Sequence, residues 1–414
     1  MKLSIPALRP LRFRDFRLLW TGLAVSLVGD GMWLVAVAWQ VIELGGGPVQ
    51  LSLIATTYSV GLVVLMLPAG VVADRYPRRL VMFSADLLRA FTVAVLGVLS
   101  LTGGLELWHL AIGGGLIGAG EAFFIPSYTA LLPRLLPENE ILAANGLEGT
   151  LRPLAQQAAG PLLGGIVVAL FEPGLAILAA SLTYLVSAGC LAAMRVSSTP
   201  DRADTREPTA FSDLREAARY VRQTSWLWAT LAFAFVAVFF LLGPLEVLAP
   251  FVIRDRTGGG SAEYGILLAC FGAGAAIGAL AISARAMPRR YLSLMLWLWG
   301  AGSIPLLALG LANELWIMCA AVLIVGASES AATVIWGTLL QRRVPDGLRG
   351  RVSSLDFFVS LSLMPASMAL AGPAGDAFGL TAVFVAAALV PALAAPIAFR
   401  AGRLGRDELA HPLS

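Results

Sequence analysis

The sequence predicts an all-α polytopic membrane protein, with twelve transmembrane helices arranged as two pseudo-symmetric six-helix bundles. Three observations predict it. The first is composition: of 414 residues, 58% are hydrophobic and 13% charged, too little charge to clothe a soluble chain of this length. The second is a tandem repeat. Gly118-Ala119-Gly120-Glu121 returns about 208 positions later as Gly326-Ala327-Ser328-Glu329, and the match runs without a gap for roughly fifty residues. Leu131-Leu132, Arg134 and Pro137 become Leu339-Leu340, Arg342 and Pro345, while Glu148 becomes Asp356. The third is that lysine and arginine fall almost wholly on alternate loops.

A spanning helix needs about 20 apolar residues. On that ruler the spans are 18–44, 50–73, 80–101, 107–131, 147–171 and 174–194, then 226–252, 262–284, 292–311, 314–339, 353–374 and 379–399. The first follows a basic stretch and lacks a short apolar core with a small-residue cleavage site, so it is expected to be retained. The domains are expected at 1–194 (N-terminal bundle), 195–225 (cytoplasmic linker) and 226–414 (C-terminal bundle). Within the linker, 211–222 carries Leu214, Ala217-Ala218 and Val221 at helical spacing, which fits an amphipathic helix on the membrane surface.

Orientation follows from the basic residues. Of 29 lysines and arginines, 25 precede the first span or lie in loops 2–3, 4–5, 8–9 and 10–11, the linker and the tail. The opposite loops hold Arg254 and Arg256, and Arg89 and Arg152 lie within spans. Both termini and the linker are therefore expected on the cytoplasmic face of a bacterial plasma membrane. A net charge of +3 gives no polyanion-binding surface, so no nucleic-acid partner is expected. Cys190, Cys270 and Cys319 each sit alone in an apolar run and read as packing residues. His109 and His411 have no metal-spaced partner, and no metal or cofactor is expected.

The loop after the second span reads Gly70-Val-Val-Ala-Asp74-Arg75-Tyr-Pro-Arg78-Arg79. One acid among three arginines on a short turn can dock on helix ends, and an acid near a helix N-terminus is favoured by the dipole. Glu148 and Asp356 read as first-turn residues of the fifth and eleventh spans, within reach of those arginines. This loop resembles the signature of the major facilitator superfamily, where it latches the two halves. The resemblance implies that Gly70, Asp74, Arg75, Arg78, Glu148 and Asp356 form the latch. In the fifth span, Ala159-Gly160-Pro161-Leu-Leu-Gly164-Gly165 is similar to the superfamily's antiporter motif, a tightly packed and bendable helix found more in exporters than importers. Pro126, Ala130-Leu131-Leu132-Pro133, Leu136-Pro137 and Ala144-Asn145-Gly146 narrow the resemblance, together with Ser26 to Asp30 and Ser84 to Ala90. The branch they resemble contains enterobactin-type siderophore exporters and macrolide efflux pumps, and the likeness covers nearly the whole chain. One departure stands out. Drug–proton antiporters of the superfamily carry a proton-linked arginine within the fourth span, and here that span holds Glu121 with no arginine before Arg134.

Charges at bilayer depth are expensive and mark functional candidates. Asp30 lies near the middle of the first span, with Trp33 and Gln40 on its face by helical spacing. Glu121 shares a face with Gly114, Gly118 and Tyr128, and Glu329 shares one with Gly326, Thr333 and Trp336. A carboxyl in a watered, low-dielectric crevice is suited to exchanging a proton or meeting a cation. Asp30, Glu121 and Glu329 are the proton-coupling candidates; Trp33, Gln40, Tyr128, Gln156 and Trp336 are the substrate-cavity candidates. Asp86 with Arg89, and Glu148 with Arg152, read as structural pairs at helical spacing.

The expectation is a non-enzymatic secondary transporter, a monomer in the bilayer, exporting small lipophilic organic molecules by proton antiport and alternating access. Export of a siderophore or secondary metabolite, and proton-coupled import, are the alternatives. A membrane enzyme would need a cluster of His, Asp or Cys at one interface, which the sequence does not offer.

Overall fold

The computed structural model describes residues 6–195 and 210–413, and their regular elements are all helical. Eleven helices among them are long and apolar enough to cross a membrane. The first ten are α1 (Arg14–Glu43), α2 (Pro48–Arg75), α3 (Arg78–Leu101), α4 (Leu107–Leu135), α5 (Glu138–Leu170), α6 (Pro173–Ala193), α7 (Ser225–Thr257), α8 (Ser261–Ser283), α9 (Tyr291–Leu311) and α10 (Leu315–Arg343). The eleventh, Leu348–Ala401, is 54 residues long and breaks at Gly379, whose φ of 82° leaves helical space. Its arms before and after that glycine are α11 and α12, the last two expected spans.

Two starts differ from the apolar ruler. α5 begins at Glu138, and the helix leading into α11 begins at Asp346. Each is fixed by a proline at the N-cap, Pro137 or Pro345, and each opens with polar turns that a count of apolar residues passes over. Glu148 and Asp356 therefore lie about three turns into their helices. They are not first-turn residues, and the expected help from the helix dipole does not reach them.

Chain contacts divide the molecule into two compact units. One holds α1–α6 and Gly259–Ala269, the beginning of α8; the other holds α7, the remainder of α8 from Cys270, and α9–α12. In the first, α1 packs on α5 and α6, α2 on α4, and α3 on α4 and α6. Its core gathers Leu19, Leu23 and Leu27 of α1 with Met82, Phe124, Leu131 and Leu191. In the second, Trp226 and Phe233 of α7 meet Tyr291 and Met295 of α9 and Ile335 and Leu339 of α10. Linker residues 196–209 lie outside the described residues. The expected amphipathic helix is present as Ala210–Gln223. Its Val221 is buried in the second unit's core and Glu216 pairs with Arg351. Where the sequence placed this helix on the membrane surface, protein takes its inner face.

The repeat is structural as well as sequential. α10 begins and ends at the positions that α4 occupies 208 residues earlier. A Cβ built on Gly118 would lie 2.0 Å from the Tyr58 carbonyl oxygen of α2, and one on Gly326 would lie 2.2 Å from that of Phe271 in α8. From the other side, Gly61 would meet Gly115 at 2.4 Å and Gly274 would meet Leu323 at 2.0 Å. The α2–α4 and α8–α10 joints are thus the same backbone-on-backbone crossing, of the kind small residues permit in membranes.

Forcing a side chain into either joint must move backbone. Gly118→Val and Gly326→Val are each expected to destabilise their unit by about 1–3 kcal/mol or more, read as a lower thermal midpoint in detergent. Gly337→Ala, in α10 but with open space around it, should leave the midpoint unchanged or slightly raised. Equal losses at all three positions would refute the joint.

Candidate functional site

The first unit carries a cluster of charges at membrane depth. Arg89 of α3 is 2% exposed, and its guanidinium reaches two carboxylates. One is Asp86, a turn away and fully buried, which accepts a hydrogen bond from Nη2. The other is Asp30 of α1, whose Oδ1 lies 3.6 Å from Nη1 and whose side chain is 14% exposed. Tyr184 of α6 donates its hydroxyl to Asp30 at 2.7 Å. The cation also lies over two rings, 5.0 Å from the centroid of Phe124 and 4.6 Å from that of Tyr184. Glu121 of α4 takes a hydrogen bond from Tyr58 of α2.

Local sequence explains how α3 can deliver this arginine. Gly120 of α4 has no side chain, and a Cβ there would fall 2.7 Å from Arg89 Cγ. The arginine's stem lies against that gap.

The second unit uses the same scaffold differently. α10 has Ser328 where α4 has Gly120, and the residue facing it from α9 is Gly302, whose Cβ would lie 2.5 Å from that of Ser328. Glycine stands where the first unit has Arg89. Beside it is a small, partly open pocket of about 10 Å³ lined by Trp299, Gly302, Ser303, Val325, Glu329 and Pro391, among others, room for about one water. Glu329 faces the Trp299 indole. Phe271 takes the place of Tyr58, so the tyrosine contact made by Glu121 has no counterpart at Glu329.

The other predicted site residues divide by environment. Trp33 is buried in α1, and Gln40 is buried and accepts from Ser100 of α3, a contact between packed helices. Tyr128 stacks on Phe124 and faces Glu148, which also faces Arg152. Gln156 is half-buried in a π-helical turn, Pro153–Ala159, whose backbone meets Gly31 of α1. Trp336 donates to Asp356 at 3.0 Å and packs against Trp226 and Trp299.

Among the latch candidates, Gly70 lies within α2 beside open space, and Arg75 is exposed. Asp74 is exposed and 4.0 Å from Arg78. Arg78 donates to the Ala130 carbonyl at 3.0 Å, and Arg79 to that of Met194. These arginines tie the ends of α4 and α6 to α3 inside their own bundle. In the antiporter-like segment, Gly160 meets Val28 and Gly31 of α1, Gly164 meets Met32, and Gly165 meets Ser261 at the start of α8. Pro161 borders Gly31 on one side and Gly265 on the other. Gly160, Pro161, Gly164 and Gly165 are each a contact point.

Tyr58, Tyr184, Trp299 and Gly302 escaped the sequence reading, and Arg89 was read only as the partner of Asp86. A signal was available. The repeated tetrapeptide differs at one residue, Gly120 against Ser328, and that residue is the one the arginine's stem lies against.

A family model for transmembrane secretion effectors matches residues 5–410. Multidrug efflux pump Tap of Mycolicibacterium fortuitum is 30% identical, over 92% of this chain and 94% of its own. Macrolide efflux protein A of Streptococcus pyogenes is 24% identical, over 89% and 91%. Among solved structures, a bacterial homologue of the lysosomal transporter Spinster aligns with a TM-score of 0.70 and 16% identity, over 96% of this chain and 98% of that one. The nucleoside transporter NupG aligns at 0.72 and 8%, over 94% and 99%; at such identities the likeness is one of fold.

Removing one partner of a buried ion pair strands the others. Arg89→Met is expected to cost about 3–5 kcal/mol, and adding Asp86→Asn should recover part of that loss. Thermal unfolding of the two variants in detergent checks this; a double variant no more stable than the single would argue against the shared arginine.

Proposed function

The chain belongs to the transmembrane secretion effector family of major facilitator superfamily transporters, and from that premise we propose that it exports small lipophilic organic molecules in exchange for protons. Export rests on relatives named as multidrug and macrolide efflux proteins, of which the chain covers nine-tenths. The antiporter-like Gly160-Pro161-Leu-Leu-Gly164-Gly165 segment and its close contacts on α1 and α8 favour the same direction.

Proton coupling rests on one observation: a single buried arginine serves two carboxylates. With Asp30 and Asp86 ionised, the trio has one net negative charge at a depth where charge is costly. One proton or one cationic group of a substrate neutralises it, and both cannot be accommodated equally well. Mutual exclusion of that kind is what antiport requires. Asp30 is the member to titrate, because it is the more loosely held and the more exposed of the two acids. Asp86 stays locked to Arg89 and keeps the guanidinium in place. Protonation at Asp30 then biases an alternating-access equilibrium, since a ligand shifts conformations only through its differential affinity for them. Glu121 and Glu329 are further exchange sites, the latter beside a cavity that can hold a water. Trp33, Tyr128, Gln156 and Trp336 are candidates for contact with substrate; Gln40 has its hydrogen bond inside the bundle. The protein works in a bacterial plasma membrane with both termini cytoplasmic, as the arginines predict.

Asp30→Asn should leave the protein folded, with Arg89 still bound to Asp86. In proteoliposomes it should reduce efflux driven by a pH gradient roughly tenfold or more, the scale of a typical coupling free energy; wild-type rates in a folded variant would remove Asp30 from the mechanism. A deletion strain should become more susceptible to amphiphilic drugs, including macrolides, and recover on complementation. Unchanged susceptibility together with altered secretion of a native metabolite would favour the siderophore or metabolite reading. Substrate counterflow at opposed pH gradients distinguishes export from import.

A further inference from the structure

The sequence reads the three cysteines as packing residues, each alone in its apolar run, and the structure brings two of them together. Cys190 packs against Gly22 of α1 in the first unit. Cys270 of α8 and Cys319 of α10 are neighbours in the second.

Geometry independent of the sulfurs places them there. α8 and α10 meet at Gly274 with Leu323 and again at Gly278 with Ala327, and in both rungs a Cβ built on the glycine lies 2.0 Å from the facing carbonyl oxygen. From one rung to the next each helix advances four residues, about one turn. The helices are therefore parallel and in register. One turn back from Gly274 and Leu323 stand Cys270 and Cys319. The first unit has the equivalent rung: Thr57 of α2 donates to the Ala111 carbonyl of α4 at 2.7 Å. The repeat, the glycine rungs and the neighbouring thiols describe one joint.

Two thiols on packed parallel helices form a chelate whose ordering cost is already met by the helix crossing. Both cysteines are half-buried, so a small reagent can reach them. Sulfur ligands select soft centres, and a dithiol suits one that needs two bonds. We propose that Cys270 and Cys319 form a binding site for thiophilic trivalent arsenicals. With a hydrated arylarsenical, two As–O bonds break and two As–S bonds form. Each thiol proton leaves on a hydroxyl as water, and arsenic remains trivalent. No oxidant is needed. The product is a bridge between α8 and α10, four residues inside the start of α10. The orientation expected from the arginines puts that start in the external half of the bilayer.

The test uses the purified full-length protein in detergent with phenylarsine oxide as the probe. After treatment the protein is unfolded in SDS, labelled with a maleimide and weighed intact. The chain has three cysteines, so three labels are expected without arsenical and one with it. A 1,2-dithiol should restore all three, and an equal concentration of a monothiol should not. Cys190→Ser should fall from two labels to none, while Cys270→Ser and Cys319→Ser should each keep both of theirs. Three labels after treatment of the wild type, or protection that survives Cys270→Ser, overturns the site. These readouts require no transport substrate, so their failure is separate from failure of the proton-antiport reading.

Discussion

A guanidinium excluded from water at membrane depth must be answered by its surroundings, and much of the first bundle is arranged to answer Arg89. Two carboxylates share its charge, it lies over two aromatic rings, and a glycine on the adjacent helix gives its stem room. Contributions come from α1, α3, α4 and α6. Loss of the arginine would therefore leave desolvated carboxylates without their partner, whereas loss of the Asp30 contact alone leaves Arg89 paired with Asp86. The same arrangement is unevenly held: Asp86 is sealed in and Asp30 is not.

Set against this, the second bundle shows what duplication preserves. The crossings between α2 and α4 and between α8 and α10 are the same to within a few tenths of an ångström in their backbone approach. The chemistry placed on them has diverged. Arginine gives way to glycine, tyrosine to phenylalanine, and a filled space to a small cavity beside Glu329. Helix joints made of glycine and carbonyl oxygen do not depend on the side chains a turn away. The two halves could thus acquire different polar contents without refolding, one holding an internal countercharge and the other an acid beside a water-sized space.

The division between what could and could not be read in the sequence follows from this. Twelve spans were legible because hydrocarbon demands long apolar runs, and the repeat was legible because α4 and α10 keep identical length and register. The starts of α5 and α11 were not, since their first turns are polar and announced by proline, not by hydrophobicity. Asp30, Glu121 and Glu329 could be singled out one at a time by the cost of burying charge. Their partners could not. Arg89 lies 59 positions from Asp30, and Tyr184 lies 154 from it; such neighbours are chosen by lateral packing, which helical spacing within one chain segment does not encode. The loop arginines were legible in part: their cluster is plain in the sequence and its docking on helix ends was expected, but which carbonyls Arg78 and Arg79 would reach was not.

Between α11 and α12 the chain turns on Gly379 alone, with helix on both sides. Such a hairpin offers almost no backbone for a protease to extend or an antibody to grip. It is also a poor place for an inserted tag, because added residues would have to unwind a span before they could form a loop. Topology mapping by insertion would read that corner as buried even where it borders water.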